Sequence, residues 1–106
     1  MEYRIGMSAD FSKTISECDV YNYAGIIGDF NPLHVNEIKA KEFLFGKRIA
    51  HGMLTASFLS TVIASEMPGP GTIYMEQNAR FVRPVFIDDT ITAHGSFIVY
   101  RKLVLA

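Results

Sequence analysis

A carboxylate and an imidazole five residues apart are the side chains of this sequence best suited to acid–base chemistry. They are Asp29 and His34, at the two ends of the run DFNPLH. A carboxylate partly removed from water becomes more basic, and a neutral imidazole can accept or donate a proton near neutral pH. If a turn aims both side chains at one point, the pair could hold, deprotonate and reprotonate a single water molecule.

Both residues also have ordinary structural explanations. Asp29 could cap the following turn through an Asx-type hydrogen bond, and His34 could lie on the surface or in the core with its hydrogen bonds satisfied. Because short motifs often occur by chance, the spacing alone favours these structural explanations over catalysis.

A second candidate is the start of an apolar helix at His51-Gly52. Because Gly52 has no side chain, free amides at the helix N-terminus could face a developing negative oxygen, as an oxyanion site requires. Alternatively, Gly52 only permits close packing and His51 caps the helix, and the residues alone favour this explanation. Ser60 lies two turns further along, where a serine usually bonds to its own helix.

Capping signals and hydrophobic spacing predict the elements that position these residues. Ser16 and Asp19 resemble a capping box, and the apolar spacing that follows predicts a helix over residues 17–27, closed by Gly28. The next proline cannot continue this helix. Residues 29–34 should therefore form an ordered turn whose polar side chains leave the helix end together.

A second helix and several strands follow from the remaining patterns. Residues 7–15 could form a first strand and residues 36–45 one or two short helical turns. Residues 51–66 should form a longer helix that is apolar or small on most faces. Such a helix must be wrapped, most cheaply by a curved sheet. Alternating residues predict half-buried strands over 72–81 and 89–100.

Length and composition restrict the class of protein. The 106 residues, 49% of them hydrophobic, have room for one core, so a single domain over residues 1–106 is predicted. So much apolar sequence in a short chain predicts a homodimer or higher homo-oligomer. A formal net charge of −1 favours a small molecule over nucleic acid or an anionic membrane. A lone cysteine, Cys18, and the lack of a secretory signal fit the cytoplasm.

Taken together, the two motifs resemble the signature of the MaoC-like, (R)-specific enoyl-CoA hydratases, the hydratase 2 family. The run GDFNPLH (28–34) precedes RIAHGML (48–54) in the family's order and separation, and QNARFVRPVF (77–86) and DDTIT (88–92) resemble its strands. The resemblance covers residues 11 to 93, approximately. It implies an α+β hot-dog fold, in which an antiparallel sheet wraps around one long central helix.

The resemblance also implies a reaction and a role for each site residue. Asp29 and His34 would bind and activate water. Asn31 would help to orient their turn, Gly52 would supply the oxyanion amide, and Ser60 would support the pocket. The reaction implied is reversible hydration of a trans-2-enoyl-CoA to the (R)-3-hydroxyacyl-CoA, with charge gathering on the thioester oxygen. CoA enters as part of the substrate, and neither a metal nor a redox cofactor is implied.

Other functions stay open at this point. One is dehydration of a 3-hydroxyacyl chain on an acyl-carrier protein, and another is a non-catalytic module that binds an acyl thioester or an assembly partner. A hot-dog thioesterase is less attractive, because the paired motifs resemble the hydratase arrangement. Since the family continues with a further hairpin, its last strands are expected to be missing here, which would leave a sheet edge exposed.

A CoA or carrier-protein phosphate would need nearby cations. The candidates are Arg80, Arg83, Lys47 and Arg48. Each of them is more simply explained as solvated surface charge, so none is assigned to substrate binding.

Overall fold

The structure, a computed structural model, describes residues 5–99 and 102–105, with side chains described over residues 5–97. The described chain divides into two compact units. The first comprises residues 5–13, 56–79, 92–99 and 102–105, and the second comprises residues 14–55 and 80–91. The single domain predicted over the whole chain stays a prediction. Within the described ranges, no helix is both long and apolar enough to cross a membrane.

The first strand, β1, covers Ser8–Thr14 and confirms the strand predicted over residues 7–15. Its residues alternate between exposed and partly buried, as expected for a strand with one face covered. The ring of Phe11 meets the ring of Phe58 edge to face, with 5.9 Å between centroids and 70° between planes. This contact packs β1 against the long helix within the first unit.

Helix α1 (Glu17–Ile27) begins and ends where the sequence predicts. The amide of Ser16 donates to Asp19 Oδ2 at 2.9 Å, and the amide of Asp19 donates to Ser16 Oγ at 3.0 Å, which completes the capping box. Gly28 closes the helix at φ 78°, a left-handed conformation that costs glycine little. Its amide donates to the carbonyl of Ala24 at 2.8 Å, so the chain leaves the helix in a fixed direction.

Two one-turn helices follow α1. Helix α2 covers Pro32–Val35 and lies inside the predicted turn, and α3 covers Glu37–Ala40, which confirms short helical turns within residues 36–45. The side chains of Asn31 and Asn36 cap α2 and α3 respectively by accepting hydrogen bonds from backbone amides. These caps allow such short helices to hold their geometry.

The predicted long helix over residues 51–66 is present with a change of winding. Helix α4 covers Gly52–Thr61, and Val62–Glu66 continues it as a π-helix. The amide of Met67 donates to the carbonyl of Val62 at 2.8 Å, a spacing of five residues that defines this wider winding. Leu54, Ala56 and Val62 are buried along the helix.

Three strands form an antiparallel sheet in the order β1-β2-β3. Strand β2 covers Thr90–Val99 and confirms the strand predicted over residues 89–100, although Tyr100 lies outside the described residues. Hydroxyl pairs join β1 to β2, with 2.7 Å between Ser12 and Thr92. Strand β3 (Lys102–Leu105), which was not predicted, pairs antiparallel with β2.

The strand predicted over residues 72–81 is wrong for the described chain. No regular strand forms there, and Ile73 and Met75, two apolar residues of the predicted half-buried strand, are 81% and 93% exposed. A strand persists where a neighbour pairs with its backbone amides and carbonyls. The described residues offer no such neighbour to this segment, so its alternating pattern marks a surface that the described residues leave uncovered.

Candidate active site

The two residues predicted to share a water molecule lie side by side in the second unit. Asp29 follows the left-handed Gly28 at the end of α1, and His34 lies within α2. Oδ2 of Asp29 is 3.9 Å from Nε2 of His34. The carboxyl side chain is 46% exposed and the imidazole only 10%, so one member of the pair meets solvent while the other is largely removed from it.

The orientation of the Asp29 carboxylate is fixed by its own turn. Oδ1 accepts a hydrogen bond from the amide of Asn31 at 3.1 Å, which is the Asx-type bond considered as a structural explanation. Asn31 in turn accepts from the amide of Leu33 at 3.2 Å and caps α2. The structural bond therefore occupies one carboxylate oxygen and leaves Oδ2 directed at His34. Asn31 links the two residues through the backbone.

The hydrogen bonds of His34 assign its tautomer. Nδ1 lies 2.7 Å from the carbonyl oxygen of Ile49, and a carbonyl can only accept, so Nδ1 carries the proton. In the neutral ring Nε2 is then an acceptor whose lone pair faces Asp29. The 3.9 Å between Nε2 and Oδ2 is too long for a direct hydrogen bond and suits a bridging water that donates one hydrogen to each atom.

The environment of His34 favours the neutral ring. Burial lowers the pKa of His34 below its ordinary value, and the neighbouring His51 lowers it further when charged. The Ile49 carbonyl and the Asp29 carboxylate act in the opposite direction without reversing the shift. His34 therefore holds an unprotonated Nε2 near neutral pH, as a proton acceptor must.

A third residue, His51, contacts both members of the pair. Its side chain does not cap α4, since Nε2 lies 3.0 Å from the carbonyl oxygen of Asp29 and must donate to it, while Nδ1 has no hydrogen-bond partner among the described residues. Its ring stacks on the ring of His34 at 3.9 Å between centroids and 26° between planes. The sequence alone predicts His51 only as a helix cap. Its position directly before Gly52, within the second motif, is the one sequence signal that could have indicated a role in the site.

Gly52 is the first residue of α4, and a helix's first amide has no acceptor within the helix. A Cβ added at this position would lie 3.1 Å from the ring of Phe81, closer than ordinary contact. The packing explanation for this glycine therefore holds, whatever its amide does. The preceding segment is held by a hydrogen bond of 2.7 Å from the amide of Ala50 to the carbonyl of Val85. The oxyanion role of Gly52 stays a prediction.

Comparisons with known proteins agree with the motifs at the level of the family. Residues 1–97 match the sequence model described as MaoC like domain. An (R)-specific enoyl-CoA hydratase of Rhodospirillum rubrum is 53% identical over 88 residues, which cover 83% of this chain and 61% of that protein. The chain belongs to the MaoC-like domain family. A 3-hydroxybutyryl-CoA dehydratase of Methylorubrum extorquens is 41% identical over 90 residues, which cover 85% of this chain and 57% of that protein.

Solved structures confirm the hot-dog fold of this MaoC-like chain. An (R)-hydratase of Aeromonas caviae, involved in PHA biosynthesis, superposes with a TM-score of 0.93 at 34% identity, over 97% of this chain and 83% of that one. An unliganded R-hydratase of Pseudomonas aeruginosa superposes with a TM-score of 0.85 at 40% identity, over 90% and 61% of the two chains. In the sequence alignments, the chain spans 61% of the length of the R. rubrum relative and 57% of the length of the M. extorquens relative.

The remaining predicted site residue is Ser60. It lies exposed on α4, eight positions after Gly52 and within the first compact unit. Its supporting role stays a prediction.

Two of the four cations considered for phosphate binding have partners in the structure. Arg48 forms an ion pair with Glu17 at 2.9 Å and donates to the hydroxyl of Tyr21 at 2.8 Å. Lys47 lies over the ring of Phe86, with Nζ 4.5 Å from the centroid. The Arg48 network lowers the pKa of Glu17, first through the Tyr21 hydroxyl and then through the arginine itself. Arg48 therefore ties α1 to the segment that carries the second motif.

Asp29, His34 and His51 can each offer one ligand atom, and these atoms lie within 4.8 Å of one another. Two imidazoles and a carboxylate are a donor set that transition metals accept. In each ring one nitrogen already donates to a carbonyl, which leaves one nitrogen per histidine for any ligand. That the protein works without a metal stays a prediction, which chelation tests below.

Proposed function

We propose that this protein is a hydro-lyase that reversibly hydrates trans-2-enoyl-CoA to (R)-3-hydroxyacyl-CoA. The observation that carries the proposal is the pair of proton acceptors, Oδ2 of Asp29 and Nε2 of His34, held 3.9 Å apart. The other polar atom of each side chain is hydrogen-bonded to the backbone. Oδ1 of Asp29 accepts from the Asn31 amide, and Nδ1 of His34 donates to the Ile49 carbonyl. Two fixed acceptors can orient one water and leave its lone pair free to attack.

The chemistry needs only water and the substrate. As the water oxygen bonds to C3, one O–H bond breaks and its proton passes to the acceptor pair, which then delivers that proton to C2. The electron pair of the double bond shifts toward the thioester oxygen, which would gather charge near the Gly52 amide at the start of α4. No group is oxidised or reduced. The reverse sequence expels water, so one site serves both hydration and dehydration.

Relatives favour CoA as the carrier without excluding a carrier protein. The R. rubrum hydratase and the M. extorquens dehydratase are both named for CoA thioesters. A mitochondrial 3-hydroxyacyl-[acyl-carrier-protein] dehydratase of Arabidopsis thaliana is 35% identical over 91 residues, which cover 86% of this chain and 54% of that protein. The aligned acceptors argue against a module that only binds thioesters, because binding alone gives no reason to aim both at one point.

The direct test is loss of crotonyl-CoA absorbance, coupled to an oxidoreductase specific for (R)-3-hydroxyacyl-CoA. We expect turnover, formation of the R product and an unchanged rate after dialysis against EDTA. Crotonyl-CoA and crotonyl-acyl-carrier protein are compared by kcat/KM to assign the carrier. A folded protein that is inactive on short and long enoyl thioesters would refute the proposal, and loss of activity restored by a divalent metal would refute its metal independence.

The acid side of the pH profile should report His34. Because burial lowers its pKa, more of the ring is neutral at a given acidic pH than in an ordinary exposed histidine. We therefore expect kcat/KM for hydration to fall on acidification with a midpoint below about 6.5. Circular dichroism over the same range separates titration from unfolding. A midpoint at or above the ordinary histidine value in a folded protein would contradict the assigned environment.

The oxyanion role of Gly52 can be separated from its packing role. In Gly52→Ala the new Cβ meets the Phe81 ring and also stands beside the amide, so we expect kcat to fall by roughly 10-fold or more. The double variant with Phe81→Leu gives the methyl group room. If Gly52 binds the thioester oxygen, the loss of kcat persists in the double variant. Recovery of kcat there would leave Gly52 a packing residue only.

We also infer that the chain self-associates. Ile73, Met75 and Phe81 are exposed in residues 72–81, where the predicted strand does not form, and Val82, which follows directly, is exposed too. Exposed apolar surface of this kind is unfavourable in water and is covered in oligomers. Sedimentation should give a mass of at least two chains, and a monomer at micromolar concentration would contradict the inference.

The cytoplasmic location expected from the composition stays a prediction.

A further inference from the structure

The side chain of His51 has three described contacts, and two of them are with the candidate catalytic pair. Its Nε2 donates to the backbone carbonyl of Asp29 at 3.0 Å, and its ring stacks on His34 at 3.9 Å. The ring of Tyr23, on α1, meets the ring of His51 edge to face at 5.2 Å. We propose that His51 is a positioning residue that fixes Asp29 through its backbone and His34 through its ring. This inference rests on the proposed function.

Packing alone does not explain why this position is a histidine. The side chain is 2% exposed, and its Nδ1 is buried without a hydrogen-bond partner among the described residues. A buried polar atom without a partner costs free energy, and such atoms are few in native proteins. A phenylalanine would supply an aromatic face without that cost. Unlike phenylalanine, the histidine donates an Nε2–H bond to Asp29, and we assign the role of the residue to that bond.

The two contacts control different degrees of freedom. The bond to the Asp29 carbonyl fixes the backbone from which the carboxylate projects, at the point where the chain leaves α1. The stacked ring fixes the plane of His34, whose other constraint is the single hydrogen bond from Nδ1 to Ile49. Both contacts come from the residue directly before Gly52. One residue thereby joins the acceptor pair to the start of α4.

Loss of either contact should misplace the acceptors and leave substrate binding intact. Displacement of a catalytic group by about 1 Å can lower a rate by about 100-fold. The described hydrogen bond of the His51 side chain is to the backbone carbonyl of Asp29 and not to its carboxylate. Replacement of His51 should therefore lower kcat and change KM little, because it alters the alignment of acceptors with water.

Two substitutions separate the contacts. His51→Phe keeps an aromatic face against His34 and removes the donor to Asp29, whereas His51→Gln keeps an N–H donor and removes the aromatic face. We expect each to lower kcat for crotonyl-CoA by at least 10-fold, with KM within about two-fold of the wild type. The melting temperature of His51→Phe should stay within about 4 °C of the wild type, because the substitution removes the buried Nδ1 that has no described partner along with the bond to Asp29.

The decisive measurement repeats His51→Phe in the Asp29→Asn background. A residue that acts through Asp29 has little left to lose there, so we expect less than a three-fold further fall in kcat, whereas an independent structural effect would multiply. An active wild type with both single variants within two-fold of its kcat would overturn this inference alone. A variant whose lower kcat/KM comes from a higher KM would also overturn it. The same holds if His51→Phe lowers kcat in the Asp29→Asn background by as much as it does in the wild type. An inactive wild type would overturn the proposed function and this inference together.

Discussion

Asp29→Asn is expected to lower kcat/KM for crotonyl-CoA hydration by roughly 1,000-fold, within the range attributed to a positioned acid–base group. The amide keeps the size of the side chain and an oxygen that can still accept from the Asn31 amide. It removes the negative charge, and its NH2 group would donate where the water must itself donate. The loss should therefore come from chemistry, with the turn retained.

Asp88→Asn is the matched control. Asp88 undergoes the same chemical change, is exposed and lies in the same compact unit, in a loop between Phe86 and β2. Its positive φ of 76° is tolerated by asparagine, so the fold should be unaffected. We expect wild-type activity from this control. An Asp29→Asn enzyme within 10-fold of wild type would show that another group accepts the proton.

His34→Ala should lower kcat/KM by roughly 100-fold to 10,000-fold, because it removes the acceptor Nε2. The variant also leaves the Ile49 carbonyl without its donor, which should cost about 1–2 kcal/mol of folding free energy. Thermal unfolding followed by circular dichroism establishes the temperature range in which the variant is folded, and activity is measured there. His94→Ala is the control, since His94 is exposed and pairs with Asp10 in the first unit.

The double variant of Asp29 and His34 tests whether the two residues share one water. When two residues act as a unit, removing the second costs little once the first is gone. The kcat/KM of the double variant should therefore lie within a few-fold of that of the less active single variant. Losses that multiply would indicate two independent roles. Little loss in either single variant would place the chemistry elsewhere in the protein.

Local signals predicted the helical part of the fold because their causes are local. The capping box of Ser16 and Asp19 and the left-handed Gly28 act within three or four residues, and both limits of α1 follow from them. The strand predicted at residues 72–81 was wrong because its formation depends on residues distant in sequence. Alternation shows which side chains could be buried, but a strand also needs a neighbour, and periodicity does not say which segment will supply one.

The candidate site also has features set by local sequence and features set by distant residues. The sequence by itself determined the turn from Gly28 to His34, the order of the two motifs and, through them, the family. Only the tertiary structure decided which nitrogen of His34 is the acceptor, because the deciding carbonyl belongs to Ile49, 15 residues away. It likewise decided that His51 reaches Asp29, 22 residues back along the chain, instead of capping its own helix. Caps and turns are fixed by neighbours in sequence, whereas tautomers and ring contacts depend on groups that only packing brings together.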